Sequence, residues 1–192
     1  LSRRDLLGLF LAMFAVQTAL MAVQPTLPIL VRNLTRYLAQ RETALVAGVI
    51  FSLTGISTAL GAPLVGRIKD YDHRRLLGAG LVIATILGIM QGLTSQIYLL
   101  GLERFVFGFA NAAVIVSGNV LIAQSSPENM RGQVFGVLNA VSSLGAILGP
   151  ILGGCVAGWL GIPSSFFLSG LLFAAALPLV LPSRRRGLTE TA

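Results

Sequence analysis

The sequence predicts an all-α membrane protein whose six transmembrane helices form a 3+3 inverted repeat. Three observations carry this expectation. Of the 192 residues, 55% are hydrophobic and only 11% are charged, against about a quarter charged in a soluble domain. The apolar residues fall into long runs, each of the length a bilayer requires of a helix. Two of these runs share a short glycine–proline pattern while crossing the membrane in opposite directions. The formal charge of +7 is confined to short segments between the runs, so it reads as topology rather than as a nucleic-acid surface. No nucleic-acid module is present.

Span 1 is expected over about Leu6–Val31. Arg3-Arg4 followed by an apolar run is similar to a signal peptide. That run is too long, and no small-residue cleavage site closes it. Span 2 is expected over about Ala44–Gly66, span 3 over Leu76–Leu93 and span 4 over Ile97–Ala123. Span 5 covers about Val134–Trp159, which contains no charge, and span 6 covers Phe166–Leu181. All six form one bundle. Because the sequence begins with Leu1 rather than Met, it is expected to be a fragment.

Span 5 organises the chain. Gly145, Gly149 and Gly153 recur every four residues, so a helix puts them on one face. Glycines there let a neighbouring backbone approach closely. Pro150 removes one internal hydrogen bond and favours a bend. Span 2 ends in Leu60-Gly61-Ala62-Pro63-Leu64-Val65-Gly66, which echoes Leu148-Gly149-Pro150-Ile151-Leu152-Gly153. Span 2 runs inward and span 5 outward, so spans 1–3 and 4–6 are expected to be inverted repeats, an arrangement that many secondary transporters use.

Orientation follows from Lys and Arg. Arg3, Arg4, Arg67, Lys69, Arg74, Arg75, Arg131 and Arg184-Arg185-Arg186 lie on the side of the termini, and only Arg32, Arg36 and Arg41 on the other. Both termini are therefore expected in the cytoplasm, with the chain multi-pass in the cell's inner membrane. The outer arginines share the loop Arg32–Thr43, where Leu34, Tyr37 and Leu38 fall on one helical face and predict a short interfacial helix. Asn33-Leu34-Thr35 matches a glycosylation acceptor at chance level.

Charge inside a bilayer costs a few kcal/mol or more, so it marks function. Span 4 holds Glu103 and Arg104, about two turns from the outer surface. Arg104, Gly108, Asn111, Ile115 and Gly118 share a face that looks at a cavity or a partner helix. An Arg that snorkels outward or locks helices against a carboxylate is the competing reading. Span 1 carries Gln17, Met21, Gln24 and Pro28 on one stripe, and span 5 carries Asn139, Ser142 and Ala146. Each neutral polar group can serve as interhelical glue. Stripes on spans 1, 4 and 5 together favour a substrate cavity.

The loop Gly66-Arg67-Ile68-Lys69-Asp70-Tyr71-Asp72-His73-Arg74-Arg75 is the densest charge cluster. Its aspartates allow ion pairs or a cap on span 3. His73 reads as a solvated loop residue. The single cysteine, Cys155, excludes an intrachain disulfide and a Cys-based metal site. No metal and no cofactor are expected. There is no phosphate-binding glycine loop for ATP, and no nucleophile–base set for an enzyme.

Three motifs resemble the major facilitator superfamily and, within it, the drug/proton antiporters. The loop Gly66…Asp70…Arg74-Arg75 resembles the family's cytoplasmic motif. Arg104-Phe105-Val106-Phe107-Gly108 resembles the fourth-helix motif, and Gly145…Gly149-Pro150…Gly153 the fifth-helix antiporter motif. Tyr71 stands where the family usually has arginine, and His73 where it has glycine. That degeneracy fits the C-terminal half of a twelve-span protein, although the fifth-helix motif is best known from first halves.

The resemblance implies half of a proton-coupled multidrug efflux pump working by alternating access. Its partners would be small amphipathic substrates, protons, lipid, and the missing six-helix half or a second copy. It implies that Asp70, Arg74 and Arg75 gate the cytoplasmic face and that Arg104, with Glu103 and Gly108, couples protons or holds helices. The glycines of span 5 would limit leak, while Gln17, Met21, Gln24, Asn111, Asn139 and Ser142 would face substrate. Two other readings remain: an importer of a sugar, anion or metabolite on the same fold, and a non-transporting truncated interaction protein. An anion carrier would be expected to hold more cavity cations than Arg104.

Overall fold

A computed structural model describes residues 3–67 and 72–180. Seven α-helices run α1 Arg3–Ala22, α2 Leu27–Leu34, α3 Gln40–Gly66, α4 His73–Leu93, α5 Ile97–Gln124, α6 Arg131–Leu160 and α7 Pro163–Val180. A 3-10 turn, Glu128–Met130, precedes α6. They give six segments long and apolar enough to cross a membrane, with α1 and α2 together making the first.

Spans 2 to 6 fall where the apolar runs place them. Span 1 differs: it was expected to be continuous, and the structure interrupts it between Ala22 and Leu27. The reason is local. Pro25 has no N–H for the Met21 carbonyl, and Pro28 has none for Gln24. Turn bonds take over, with the amides of Thr26 and Leu27 donating to the Val23 carbonyl. The Thr26 hydroxyl lies 3.1 Å from the Val23 carbonyl and 2.7 Å from Ser165 Oγ on α7, which ties the break to the bundle. The short outer helix also lies earlier than expected. It is α2, and Tyr37 beyond it is 75% exposed.

Helix ends follow their local chemistry. The Asp72 carboxylate accepts from the Arg74 amide at 3.0 Å and caps α4, and it pairs with exposed Arg75 at 3.5 Å. The Glu42 carboxylate reaches back to the Ala39 amide at the start of α3. Gly161, at φ +90°, makes the left-handed corner after α6, and α7 then opens with Pro163.

The packing realises the inverted repeat. α3 lies along α5 as α6 lies along α1; α4 packs on α5 as α7 packs on α1; and α4 and α7 cross each other near the pseudo-axis. At that crossing Gly88 and Gly170 face each other, and a Cβ on Gly88 would sit 3.1 Å from the Gly170 backbone. The echoed glycines occupy matching contacts. Gly61 meets Ala112 and Phe109 of α5, while Gly145, Gly149 and Gly153 are the buried glycines of α6 and meet α1. Two apolar clusters fill the bundle. One, around Leu9, Leu81, Phe107 and Phe173, lies toward the end of the bundle where α1 begins; the other, around Val23, Leu27, Ile50, Leu100 and Phe166, lies toward the opposite end.

Candidate functional site

Where the two clusters meet, the helices leave a cavity of about 480 Å³. Its wall comes from both repeats: Ala19, Leu20, Met21, Val23, Gln24, Phe51, Thr54, Gly55, Thr58, Ala59 and Ala62 on one side of the chain order, and Arg104, Phe107, Asn111, Phe166 and Ser169 on the other, with Gly88 and Gln91 of α4 between. Most of this wall is apolar, with a few polar groups set into it, the usual composition of a small-molecule site.

Those polar groups divide into two kinds. The hydroxyls serve the backbone. Thr54 donates to the Arg104 carbonyl at 3.3 Å, Thr58 to the Gly108 carbonyl at 3.0 Å and Ser169 to the Ala19 carbonyl at 2.9 Å. The other kind is left open. Arg104 Nε and Nη2, Gln91 Nε2 and Asn111 Oδ1 are buried without a hydrogen-bond partner. Arg104 is only 8% exposed. Its guanidinium carbon lies 5.9 Å from the ring centroids of both Phe107 and Phe166, at the limit of a cation–π contact. The ion pairs among the described residues, Arg75–Asp72 and Arg131–Glu128, do not involve it. Arg104 therefore neither snorkels to the surface nor locks helices through a carboxylate.

Glu103 points elsewhere. It is 3% exposed, and the Thr94 hydroxyl donates to its carboxylate, with O–O separations of 2.7 and 2.8 Å to the two oxygens. Thr94 is the residue at which α4 ends, so the pair staples the tight α4–α5 turn. Thr94→Val strands a buried carboxylate and is expected to lower stability by about 1–3 kcal/mol; denaturant titration of the purified chain checks this, and Thr94→Ser should keep most of the stability.

The remaining residues singled out from the sequence separate. Met21, Gln24, Arg104 and Asn111 line the cavity. Gln17 lies beside α6, its Cβ 3.2 Å from where a Cβ on Gly145 would fall. Asn139 is exposed and Ser142 half-buried on α6, and neither lines the cavity. Gly108 is a packing glycine, because a Cβ there would overlap Ser57 Oγ and sit 2.6 Å from the Thr54 carbonyl. Gly149 is similar, with Met21 Cβ at 2.6 Å and the Thr18 carbonyl at 2.7 Å, and a Cβ on Gly153 would overlap the Ala22 carbonyl. Pro150 lies within α6, which is one helix from Arg131 to Leu160. Gly66 has open space around it, Arg74 is half-buried and Arg75 exposed, while Asp70 lies outside the described residues. Reading the sequence missed Gln91, the amide of span 3. Its signal was the one amide side chain in an uncharged run.

Six apolar helices in two inverted triplets around a cavity define a half-unit of the polytopic helical class to which many secondary transporters belong. The sequence profile of the Major Facilitator Superfamily matches residues 9–191. The chain belongs to that superfamily. It is 32% identical over 171 residues to the multi-drug resistance efflux pump PmrA of Streptococcus pneumoniae serotype 4 (strain ATCC BAA-334 / TIGR4), covering 88% of this chain and 42% of PmrA. It is 27% identical over 190 residues to the multidrug resistance protein MdtG of Salmonella arizonae (strain ATCC BAA-731 / CDC346-86 / RSK2980), covering 97% of this chain and 46% of MdtG. The chain thus spans less than half the length of these relatives. The crystal structure of the human organic anion transporter MFSD10 (TETRAN) superposes with a TM-score of 0.73 at 21% identity, over 93% of this chain and 40% of that one. At that identity the likeness concerns the fold.

Proposed function

We propose that the chain is one six-helix half of a proton-coupled efflux transporter for small amphipathic molecules. It works by alternating access with a second six-helix half in the inner membrane. The observation that carries this reading is the cavity shared by both repeats, with buried polar groups set in an apolar wall. Membership of the superfamily and the efflux-pump names of the relatives support it. So does the burial pattern: α3 and α6, equivalent in the repeat, are the least buried spans and offer the faces on which a second half would close the substrate path. Within α5 the carboxylate available for coupling is Glu103. The charged loop before α4 would latch the cytoplasmic side, with Asp70, Arg74 and Arg75 its gating residues. The chain itself is not an enzyme.

The test is dye extrusion from energised cells that lack their own pumps and express the protein as its host encodes it, using cationic, neutral and anionic amphipathic dyes. Extrusion of any of them, abolished by a protonophore, supports the reading; accumulation equal to that of the empty host contradicts it. Orientation has its own check. In a Cys155→Ser background, a membrane-impermeant thiol reagent added to intact cells should label Tyr37→Cys and not Arg75→Cys, because the Lys and Arg distribution puts the second position in the cytoplasm.

A further inference from the structure

We infer that the cavity contains a subsite for the carboxylate or similar anionic group of an amphipathic ligand, formed by Arg104 with Gln91 and Asn111. This rests on reading the cavity as the substrate chamber. A guanidinium held 8% exposed inside a bilayer costs several kcal/mol unless it is paired. Here Nε and Nη2 have no partner, and the nearby carboxylate, Glu103, is taken by Thr94. Gln91 Nε2 adds a second open donor on the same wall. The hydroxyls of Thr54, Thr58 and Ser169 already serve backbone carbonyls, so Arg104, Gln91 and Asn111 are the cavity residues whose polar atoms remain unpaired. Two planar donor groups suit a planar, two-oxygen acceptor, which a guanidinium grips with parallel hydrogen bonds. Asn111 Oδ1, the one open acceptor of the set, suits a hydroxyl or amide placed next to the anionic group.

The rest of the wall fixes the remainder of the ligand. Phe107 and Phe166 flank the guanidinium, and Phe51, Leu20 and Met21 continue the apolar surface. A flat aromatic body carrying one carboxylate fits this division. A single cation suffices for a monoanion, so the scarcity of cavity cations limits ligand charge rather than excluding anions.

The experiment is equilibrium binding to the chain in lipid nanodiscs, with three probes of one shape: 1-naphthoate, 1-naphthamide and 1-naphthylmethylammonium. The carboxylate should bind at least about tenfold tighter than the amide, the range expected of a charge-assisted hydrogen bond. Arg104→Gln should bring naphthoate down to the affinity of naphthamide, with a far-UV circular dichroism spectrum like that of the unsubstituted chain showing that the variant is folded. Arg104→Lys should keep a reduced preference for the carboxylate, since a point charge lacks the paired donors. Equal affinity for carboxylate and amide, or preference for the ammonium probe, overturns the anion subsite and leaves the chamber standing. No binding of any probe overturns both.

Discussion

Gly153→Leu is expected to force α1 and α6 apart and to cause the largest loss of stability of any single change on α6. A Cβ at this position already overlaps the Ala22 carbonyl, and the Ala22 Cα would lie 2.8 Å away. That carbonyl belongs to the last residue of α1, where the chain turns into the break before α2. The obstruction is backbone, so no rotamer change relieves it. One methyl in such a place costs about 1–3 kcal/mol, and an isobutyl group costs more because the helices must separate along several turns. Gly149→Ala should behave alike on a smaller scale. Gly154, one residue along, has open space around it, so Gly154→Leu should be close to neutral. SDS titration followed by far-UV circular dichroism measures all three, and the contrast between positions 153 and 154 isolates packing from helix propensity.

Arg104→Gln is expected to separate activity from stability. Removing the charge should reduce extrusion of any dye that relies on the open donors by about tenfold or more. The same change relieves a buried, unpartnered guanidinium. Stability should therefore stay level or rise by about 1–2 kcal/mol, as it does when uncompensated buried charge is removed. Binding sites commonly show this opposition. Gly108→Ala, one turn away, should do the reverse of a functional variant and lower the amount of folded protein, because its Cβ meets Ser57 Oγ and the Thr54 carbonyl. Comparing membrane abundance with dye extrusion for the two variants distinguishes the roles.

How far the sequence revealed this molecule depended on the kind of information each feature needs. Length and polarity of an apolar run are local, so five spans fell within a few residues of their helices. Glycine spacing is also local, and the face carrying Gly145, Gly149 and Gly153 packs on α1 as the spacing predicts. The break before α2 left its prolines in view, yet hydropathy stays high across Val23–Val31, which hid it. The cavity is a different case, because it is assembled from α1, α3, α4, α5 and α7. Periodicity shows that residues share a face but not what the face meets. Hence the stripe on span 1 divides, Met21 and Gln24 reaching the cavity and Gln17 lying against α6. Gln91, with Leu87 and Gly88 on the turn before it, gave no stripe. Glu103 and Arg104 are adjacent in sequence but project about 100° apart on a helix, and only the fold shows that one closes a turn while the other faces the cavity.

The central claim is that this chain supplies half of a proton-coupled exchanger, and substrate-driven proton movement tests it most directly. Proteoliposomes carrying the protein as its host encodes it, loaded with a pH-sensitive dye, are given a concentration gradient of an extruded amphipathic compound with no ATP and no initial pH difference. The expected result is proton movement opposite to the substrate flux, read as a change of internal pH and unaffected by Gly154→Leu. Substrate flux without any movement of protons, or flux only when ATP is present, would contradict the account.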